Sequence, residues 1–312
     1  MHETFPFWFR PVLMLVTPIC LVLLATQINA ANSDLLDTFD KIKPELEQNV
    51  YGIPVYVVSN AENKTMLGEV YGILNYPFQD VRQALGTPEN WCDIVPQHLN
   101  IKACTYQHHD GYCELTFYTG RKYYENPEDV YKISYRYMRS DSKDDYFHVN
   151  LTADSGPMGT KEYRIEVEAI PLDDFRTFIH FSYTYKYNFL TKLGMQTYLA
   201  TLGSNKVGFS VTGKDEQGNP VFIDGMRGII ERNAVRYFLT IKSYLGTVRV
   251  SEDKRFNARI GAWFDLTEKH HQQLYEMDKD DYLEYKFLER KDQIRLQSIV
   301  DNSVANKKCA PR

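Results

Sequence analysis

The sequence has no excess of positive charge, and that absence bears on its partners. Its 312 residues include 36 lysines and arginines against 41 aspartates and glutamates, which gives a formal net charge of −5. Proteins that bind nucleic acids or acidic membrane surfaces usually do so through clustered basic residues. The composition therefore argues against nucleic acid as a partner and against electrostatic binding to an anionic membrane.

The motifs of the commonest enzyme classes are also missing. The sequence contains no GxSxG nucleophile elbow, no P-loop, no dinucleotide fingerprint and no HExxH zinc motif. The HHDG segment at residues 108–111, with Cys113 nearby, resembles a set of metal ligands. It falls where a hairpin is expected to turn, however, and polar residues are common in turns. We therefore predict no catalytic residue, no cofactor and no metal site.

Long apolar runs are scarce as well. The clearest is PVLMLVTPICLVLLA, from Pro11 to Ala25, which follows a weakly charged start, Met1 to Arg10, and precedes a polar stretch ending at Ala30. This order is typical of a secretory signal peptide, and the run is short for a membrane span, which needs about 20 apolar residues. We predict cleavage after Ala30 or Ala31 and a periplasmic or secreted mature protein. An uncleaved N-terminal anchor is the alternative.

Cysteines are few, at five in the whole chain, and Cys20 lies within the predicted signal peptide. The other four are Cys92, Cys104, Cys113 and Cys309, and in an exported protein they would be in a compartment where disulfides persist. Four thiols allow three complete pairings. The spacing alone does not choose among them.

Strand alternation favours one pairing. The apolar alternation of residues 99–103 puts Cys104 on the outer face of its strand, whereas that of residues 115–117 puts Cys113 on the inner face. A regular hairpin would then separate these two sulfurs unless a bulge intervened. We favour Cys92 with Cys104, a closure that stabilises by roughly 3 kcal/mol in the chain-entropy model. Two unpaired buried thiols are the alternative.

Aromatic residues are abundant, and they occur mainly in strand-like segments. The chain has 23 tyrosines and 17 phenylalanines. Residues 99–189 alternate with period two over about six segments, which predicts an antiparallel sheet with one covered and one solvated face. Residues 228–246 have apolar side chains at helical spacing and end in glycine, which predicts a long helix that covers the sheet. Because tyrosine is amphipathic, such a sheet could enclose a partly polar space.

The order of elements resembles a known superfamily. The matching stretches are EVYGILNYPFQDVRQAL for a strand and helix, WCDIVPQHLNIKAC for a helix and strand, and RNAVRYFLTIKSYL for the closing helix. Together they resemble the START-like and polyketide-cyclase superfamily, here as an exported bacterial member. The resemblance implies an α+β helix-grip fold, in which a curved antiparallel β-sheet wraps on a long C-terminal helix.

The predicted organisation has four parts. They are a signal peptide (1–30), an N-terminal helix (31–50), a START-like ligand-binding domain (51–246) and a helical C-terminal extension (247–312). In the extension we expect two helices, the second from about Lys279. The first would dock on the main domain or a partner through Phe256, Ile260, Trp263 and Phe264. The second is charged and is the candidate for contact with an envelope protein or a membrane.

The resemblance also implies a function. Members of the superfamily bind hydrophobic ligands, lipids or sterols among them, between sheet and helix, and a minority catalyse cyclisation or hydrolysis. We therefore predict an exported binding protein for a hydrophobic small molecule or lipid. This ligand would carry a negative charge if the side chain of Arg121 binds it. A cyclase or hydrolase, which would need a His, Asp or Glu in the cavity, is one alternative. An envelope protein-interaction factor with a filled interior is the other.

One charged residue and a set of aromatic residues are the candidate ligand contacts. Arg121 shares strand parity with Leu115 and Phe117, so it is predicted to point to the covered side and to bind a carboxylate or phosphate. An ion pair with Glu125 or Asp129 is the alternative. The predicted cavity walls are Trp91, Phe117, Tyr137, Phe181, Tyr183, Tyr185, Tyr237 and Phe238. For each of these, ordinary core packing is the competing role.

Overall fold

The segments in which apolar and polar residues alternate form β-strands, as the sequence predicts. The computed structural model of the protein describes residues 16–142, 145–189, 191, 193–195 and 206–309. Its main strands are β1 (Val55–Asn60), β2 (Thr65–Leu74), β3 (Ile101–His109), β4 (Tyr112–Thr119), β5 (Tyr131–Ser142), β6 (Tyr146–Ser155), β7 (Lys161–Pro171) and β8 (Thr177–Lys186). They form one antiparallel sheet in the order β1-β2-β8-β7-β6-β5-β4-β3. The six strands expected between residues 99 and 189 are confirmed.

Helices flank this sheet on both sides and at one edge. They are α1 (Val16–Glu47), α2 (Phe78–Leu85), α3 (Pro88–Ile94), α4 (Gly225–Thr247), α5 (Glu252–Glu268), α6 (His271–Leu274) and α7 (Lys279–Cys309). Two short strands, β9 (Val211–Lys214) and β10 (Pro220–Phe222), pair separately from the main sheet. The predicted α+β helix-grip architecture is confirmed: the curved sheet packs on the long helix α4, and further helices follow.

Two glycines in β2 let α4 approach the sheet closely. A Cβ atom on Gly68 would lie 2.9 Å from the backbone oxygen of Ile230, and one on Gly72 would lie 2.7 Å from Cζ of Phe238. Both distances are shorter than real carbon contacts. The missing side chains therefore fix where α4 crosses the sheet, and the Phe238 ring occupies the space above Gly72.

The outer face of the sheet is partly covered, which corrects the prediction of a solvated face. Leu35, Ile42 and Leu46 of α1 form a second hydrophobic cluster with Ile170 and Phe178 of the sheet. Apolar side chains at helical spacing need a surface to pack on, and the outer face of β7 and β8 provides one. The sheet is therefore sandwiched between α1 and α4 in this region.

The disulfide predicted between Cys92 and Cys104 is present, but the strand parity used to choose it is wrong. The pairing of β3 with β4 shifts register around Lys102, and this extra residue reverses the alternation. Cys104 therefore faces the main core and binds Cys92 of α3. Cys113 is a buried free thiol, and burial, together with the charge of Glu89, raises its pKa to about 11.

Strand β3 is an edge strand, and α7 covers its free edge. Gln293 accepts a hydrogen bond from the Cys104 backbone N–H at 3.0 Å and donates one to the Cys92 carbonyl at 2.8 Å. Gln297, one turn later, accepts from the Tyr106 backbone N–H at 2.9 Å and donates to the Tyr106 carbonyl at 3.0 Å. The two amides thus pair three backbone groups of β3 and the Cys92 carbonyl of α3, because a side-chain amide has both a donor and an acceptor.

The predictions about the N-terminus stay predictions. Helix α1 runs without a break past Ala30, the predicted cleavage position. Residues 1–15 of the predicted signal peptide, and the side chains of Cys20 and Cys309, lie outside the described part of the chain. Among the described residues, no helix is both long and apolar enough to cross a membrane. The division of the chain into four parts likewise stays a prediction.

Candidate ligand cavity

A cavity of about 410 Å³ lies between the inner face of the sheet and the first half of α4. This volume is within the range of small-molecule sites. The sheet contributes Phe117, Thr119, Ile133, Tyr135, Tyr163, Tyr183 and Tyr185. Helix α4 contributes Ile229, Ile230, Asn233 and Tyr237, and the loop after β6 contributes Pro157, Met158 and Thr160. Thr191, Gly194 and Met195 complete the described wall.

The cavity wall is apolar and aromatic, with uncharged polar groups. Among the described residues that line it, none is acidic, basic or a histidine. Its polar groups are phenols, threonine hydroxyls and the Asn233 amide. The Thr119 hydroxyl is buried and has no hydrogen-bond partner in the described part of the chain. Unpaired polar groups on an apolar wall are the groups that orient a ligand in small-molecule sites.

Burial keeps the phenols of the cavity protonated. It is the main cause of the raised pKa of Tyr163, which reaches about 12. The pKa values of Tyr135 and Tyr183 are raised well above the usual value of 10.0 by burial and then by neighbouring tyrosines. Burial raises the pKa values of Tyr185 and Tyr237 too. Each hydroxyl can therefore donate or accept a hydrogen bond at neutral pH without carrying charge.

Four of the eight predicted aromatic residues line the cavity. They are Phe117, Tyr183, Tyr185 and Tyr237. Phe181 is buried on the same face but does not line the cavity; it packs against Tyr237, with ring centroids 6.0 Å apart. Phe238 fills the space above Gly72 instead. For these two residues the core-packing alternative is the observed one.

Trp91 and Tyr137 are core residues too, and their placement corrects the prediction that they line the cavity. The Trp91 indole N–H donates to the Leu85 carbonyl at 2.8 Å, and the Tyr137 hydroxyl donates to the same oxygen at 3.2 Å. Trp91 thus joins α3 to α2, and Tyr137 joins β5 to α2. This end of the space between sheet and helix is filled, so the cavity is confined to the first half of α4.

The prediction that Arg121 points into the cavity is wrong. Strand β4 ends at Thr119, so the strand parity used for the prediction no longer applies two residues later. The Arg121 side chain is 74% exposed, with its Nε 3.8 Å from a carboxylate oxygen of Glu125. Its Nη1 also donates to the Tyr123 hydroxyl at 2.5 Å. The alternative of an ion pair with Glu125 is the observed one.

Several polar cavity residues are absent from the predicted ligand contacts. Tyr135 and Tyr163 share strand parity with predicted inner-face residues, so that signal was sufficient to include them. Asn233 precedes Tyr237 by one helical turn, which places the two on one face of α4. Periodicity alone did not reveal it, because a polar residue on the apolar face of a helix breaks the pattern.

Behind Tyr237 lies a buried histidine. His98 is 1% exposed, and its ring stacks on that of Tyr237 with centroids 4.4 Å apart. Burial, together with the positive charges of Arg236 and Lys286, holds the pKa of His98 well below its usual value of 6.5. The imidazole is therefore neutral near pH 7.

A second polar cluster lies on the outer face of the sheet, away from the cavity. His180 contacts Glu168 at 2.9 Å through Nδ1 and Glu69 at 3.0 Å through Nε2. The Tyr71 ring stacks on the imidazole, with centroids 4.3 Å apart. His180 alternates with the inner-face residues Ile179 and Phe181 on β8, which accounts for its outward direction. This cluster joins β2, β7 and β8 and does not reach the cavity.

Comparisons with known proteins give only distant similarities. No protein-family model matches the sequence, and no curated protein matches it. The solved structures similar to this one include Zhui aromatase/cyclase from Streptomyces sp. R1128, with 12% identity and a TM-score of 0.34, covering 64% of this chain and 94% of that chain. A conserved protein from Geobacillus kaustophilus has 11% identity and a TM-score of 0.34, covering 58% and 95%.

Truncated norcoclaurine synthase from Thalictrum flavum is also similar, with 12% identity and a TM-score of 0.32, covering 48% of this chain and 91% of that chain. At these scores the similarities say nothing about what this chain binds. A polyketide aromatase/cyclase is among the similar structures, but membership of this chain in that superfamily stays a prediction.

Proposed function

We propose that this protein binds a neutral hydrophobic ligand, such as a lipid or a polycyclic molecule, in the cavity between sheet and α4. The observation that carries the proposal is the cavity itself: about 410 Å³, with an aromatic wall and several uncharged polar groups. A filled interior would favour the alternative of an interaction factor without ligand.

The ligand is proposed to be neutral because the described wall offers no counter-charge. Burial of an unpaired carboxylate or phosphate in an apolar site is costly. The cation expected to bind such a group, Arg121, is in solvent and pairs with Glu125. An anionic ligand therefore has no support from the placement of this arginine.

A matched pair of dyes tests the proposal. N-phenylnaphthylamine is neutral, and anilinonaphthalene sulfonate is the same scaffold with an anionic group. We expect the neutral dye to bind with a fluorescence increase, and the anionic dye to bind about tenfold more weakly or worse. The measurement is a fluorescence titration of the purified protein with each dye.

A variant that fills the cavity tests whether the neutral dye binds there. Ile229 is half-buried on the cavity wall, so Ile229→Trp should fill the space and abolish binding of the neutral dye. Ile294 is 56% exposed on α7, so Ile294→Trp makes the same substitution on the surface and should bind normally. Equal binding by both variants would contradict the cavity as the site.

Export is the second part of the proposal, and it rests on the sequence. The apolar run ending at Ala25 and the polar stretch to Ala30 have the layout of a signal peptide. Intact-mass spectrometry of the protein from its own cell envelope should give a mature chain that begins at Ala31 or Asn32. Full-length protein in the cytoplasm would refute export without affecting the binding proposal.

The enzyme alternative has less support. Cyclisation or hydrolysis usually needs a positioned acid or base with a pKa near the working pH. The titratable groups on the described cavity wall are phenols, whose pKa values burial moves further from neutrality, to about 12 for Tyr163. No observation on the described wall therefore favours catalysis over binding.

A further inference from the structure

Three exposed apolar or aromatic side chains lie around one end of the cavity. Met158 lines the cavity and is also 69% exposed. Phe189, in the helical segment that follows β8, is 73% exposed, and Tyr131, the first residue of β5, is 43% exposed. We call these three the mouth residues. Single exposed apolar residues are common on protein surfaces, so it is their position around one cavity that carries information.

Met158 is held toward solvent by a strained turn. Its φ of 57° is in the left-handed region, which residues other than glycine rarely adopt. The Thr191 hydroxyl donates to the Met158 carbonyl at 2.8 Å, which ties this turn to the segment after β8. A strained residue persists only where its surroundings impose the conformation, and such residues are concentrated at functional sites. Here the strain presents an apolar side chain to solvent at the cavity wall.

Phe189 lies on the outer side of the segment after β8. The side chain of Asn188, directly before it, donates to the carbonyl of Gly159 in the same turn at 3.4 Å. Thr191 is buried and lines the cavity. Two residues along a helix separate Phe189 from Thr191, so their side chains are on different faces. One face of the segment therefore closes the cavity, while the Phe189 ring is in solvent.

Tyr131 belongs to the sheet side of the same opening. It pairs with Thr119 of β4, which lines the cavity. It shares strand parity with Ile133 and Tyr135, two further residues of the cavity wall, so its ring is on the cavity face of the sheet. Tyrosine has an apolar ring and a polar hydroxyl, and it is enriched where apolar and aqueous phases meet.

The basic residues beside the opening are paired. Lys161, at the start of β7, and Lys186, at the end of β8, contact Glu162 at 3.6 and 2.5 Å. The chain as a whole has a net charge of −5. Attraction to an anionic lipid surface depends on clustered basic residues close to that surface. A partner of the mouth residues is therefore apolar and without net charge.

We propose that the mouth residues dock the protein on the surface of a neutral lipid bilayer, with the cavity opening toward the lipid. Apolar side chains that leave water for the boundary of the acyl chains favour such binding in proportion to the area they bury. Docking lets a hydrophobic ligand pass between bilayer and cavity without crossing water. That role in ligand exchange rests on the proposed function, whereas the docking itself rests on the mouth residues.

Two equally exposed phenylalanines provide a matched test. Phe175, in the turn between β7 and β8, is 74% exposed. It lies at the other end of β8, roughly 30 Å away along the strand. Phe189→Trp and Phe175→Trp place the same fluorophore at the two ends, and the three native tryptophans are common to both variants. With vesicles of phosphatidylcholine brominated on its acyl chains, we expect loss of the added emission in Phe189→Trp and none in Phe175→Trp.

Serine substitutions at the same two positions measure the strength of docking. In sedimentation with phosphatidylcholine vesicles, Phe189→Ser should weaken partitioning by about fivefold to tenfold, because one ring no longer enters the apolar phase. Phe175→Ser should partition like the wild type. Both variants should bind N-phenylnaphthylamine normally in the absence of vesicles, since neither residue is part of the described cavity wall.

The outcomes separate docking from ligand binding. If the two tryptophan variants are quenched equally, or neither is quenched, the docking proposal is overturned, and normal dye binding would leave the proposed function intact. A wild-type dimer that Phe189→Ser dissociates, without quenching by vesicles, would overturn it too and assign the mouth residues to contact between two copies. If the dye does not bind but Phe189→Trp alone is quenched, the proposed function fails and the docking surface stands.

Discussion

At the residue scale, the outer face contains a partly buried charge cluster with a pH dependence of its own. Burial alone would lower the pKa of His180, but hydrogen bonds and charges from Glu168 and Glu69 outweigh it and raise the pKa from 6.5 to about 9. The pKa of Glu168 is lowered in turn: burial opposes this, and the hydrogen bonds from His180 and Tyr146 outweigh it. The cluster therefore stabilises the folded state most strongly when His180 is protonated and Glu168 is ionised.

We predict that His180→Gln removes part of the pH dependence of stability. A pKa that is higher in the folded than in the unfolded state gives stability that is complete below pH 6.5 and is lost as the pH rises through 9. The difference in unfolding free energy between wild type and variant should fall by up to about 3 kcal/mol across that range. Urea denaturation between pH 6 and pH 10 measures it, and parallel curves for the two proteins would contradict it.

At the element scale, helix α7 acts as a cover for the edge strand. Unpaired edge strands tend to pair with other chains, and proteins protect them in several ways. Here one face of the first half of α7 is buried on β3, where Lys102 contacts Glu289 at 2.8 Å and Lys286 contacts the same carboxylate at 2.6 Å. Some charged residues of the helix that we predicted to bind a partner thus form ion pairs inside the molecule. Any contact of α7 with a partner stays a prediction for its outer side.

We predict that the paired substitution Gln293→Leu and Gln297→Leu destabilises the protein. It would leave backbone groups of β3 without partners, at a cost of about 1–3 kcal/mol per unpaired group. Gln272→Leu, at an exposed position, changes the same residue type without loss of such contacts. Urea denaturation of the three proteins measures the effect. Equal stability of the double variant and the Gln272 control would show that the amide contacts contribute nothing.

The disulfide belongs to the same scale, because it joins β3 to α3. Its two cysteines are 12 residues apart. We predict that replacing Cys92 and Cys104 with serine lowers the unfolding free energy by about 3 kcal/mol. Dithiothreitol should lower the stability of the wild type by a similar amount and leave the variant unchanged. A wild type that is insensitive to the reductant while its disulfide is reduced would contradict this assignment.

At the scale of the whole molecule, binding and stability are linked through the cavity. A ligand that binds only the folded state raises the unfolding free energy in proportion to the logarithm of its concentration. We predict a gain of about 1.4 kcal/mol when N-phenylnaphthylamine is present at about ten times its dissociation constant. Ile229→Trp should show no gain, and Ile294→Trp should show the full gain. Urea denaturation with and without the dye measures both, and a gain in Ile229→Trp would place the dye elsewhere.

Much of the fold could be predicted from local pattern. Strand alternation identified the six strands between residues 99 and 189, and helical spacing identified α4 within a few residues of its observed bounds. The pattern was unreliable wherever a strand was irregular or ended. The register shift around Lys102 reversed the strand parity at Cys104. Because β4 ends at Thr119, strand parity does not apply to Arg121, which lies in solvent.

The sequence by itself determined the antiparallel strands and the long covering helix, because these depend on neighbours close along the chain. Only the tertiary structure decided where the cavity lies, which aromatic residues line it, and how α1 and α7 cover the sheet. Those features depend on which surfaces meet across the fold. Phe238 fills its space because Gly72 lies opposite, and α4 lies close to β2 because Gly68 leaves room for Ile230 and Ala234.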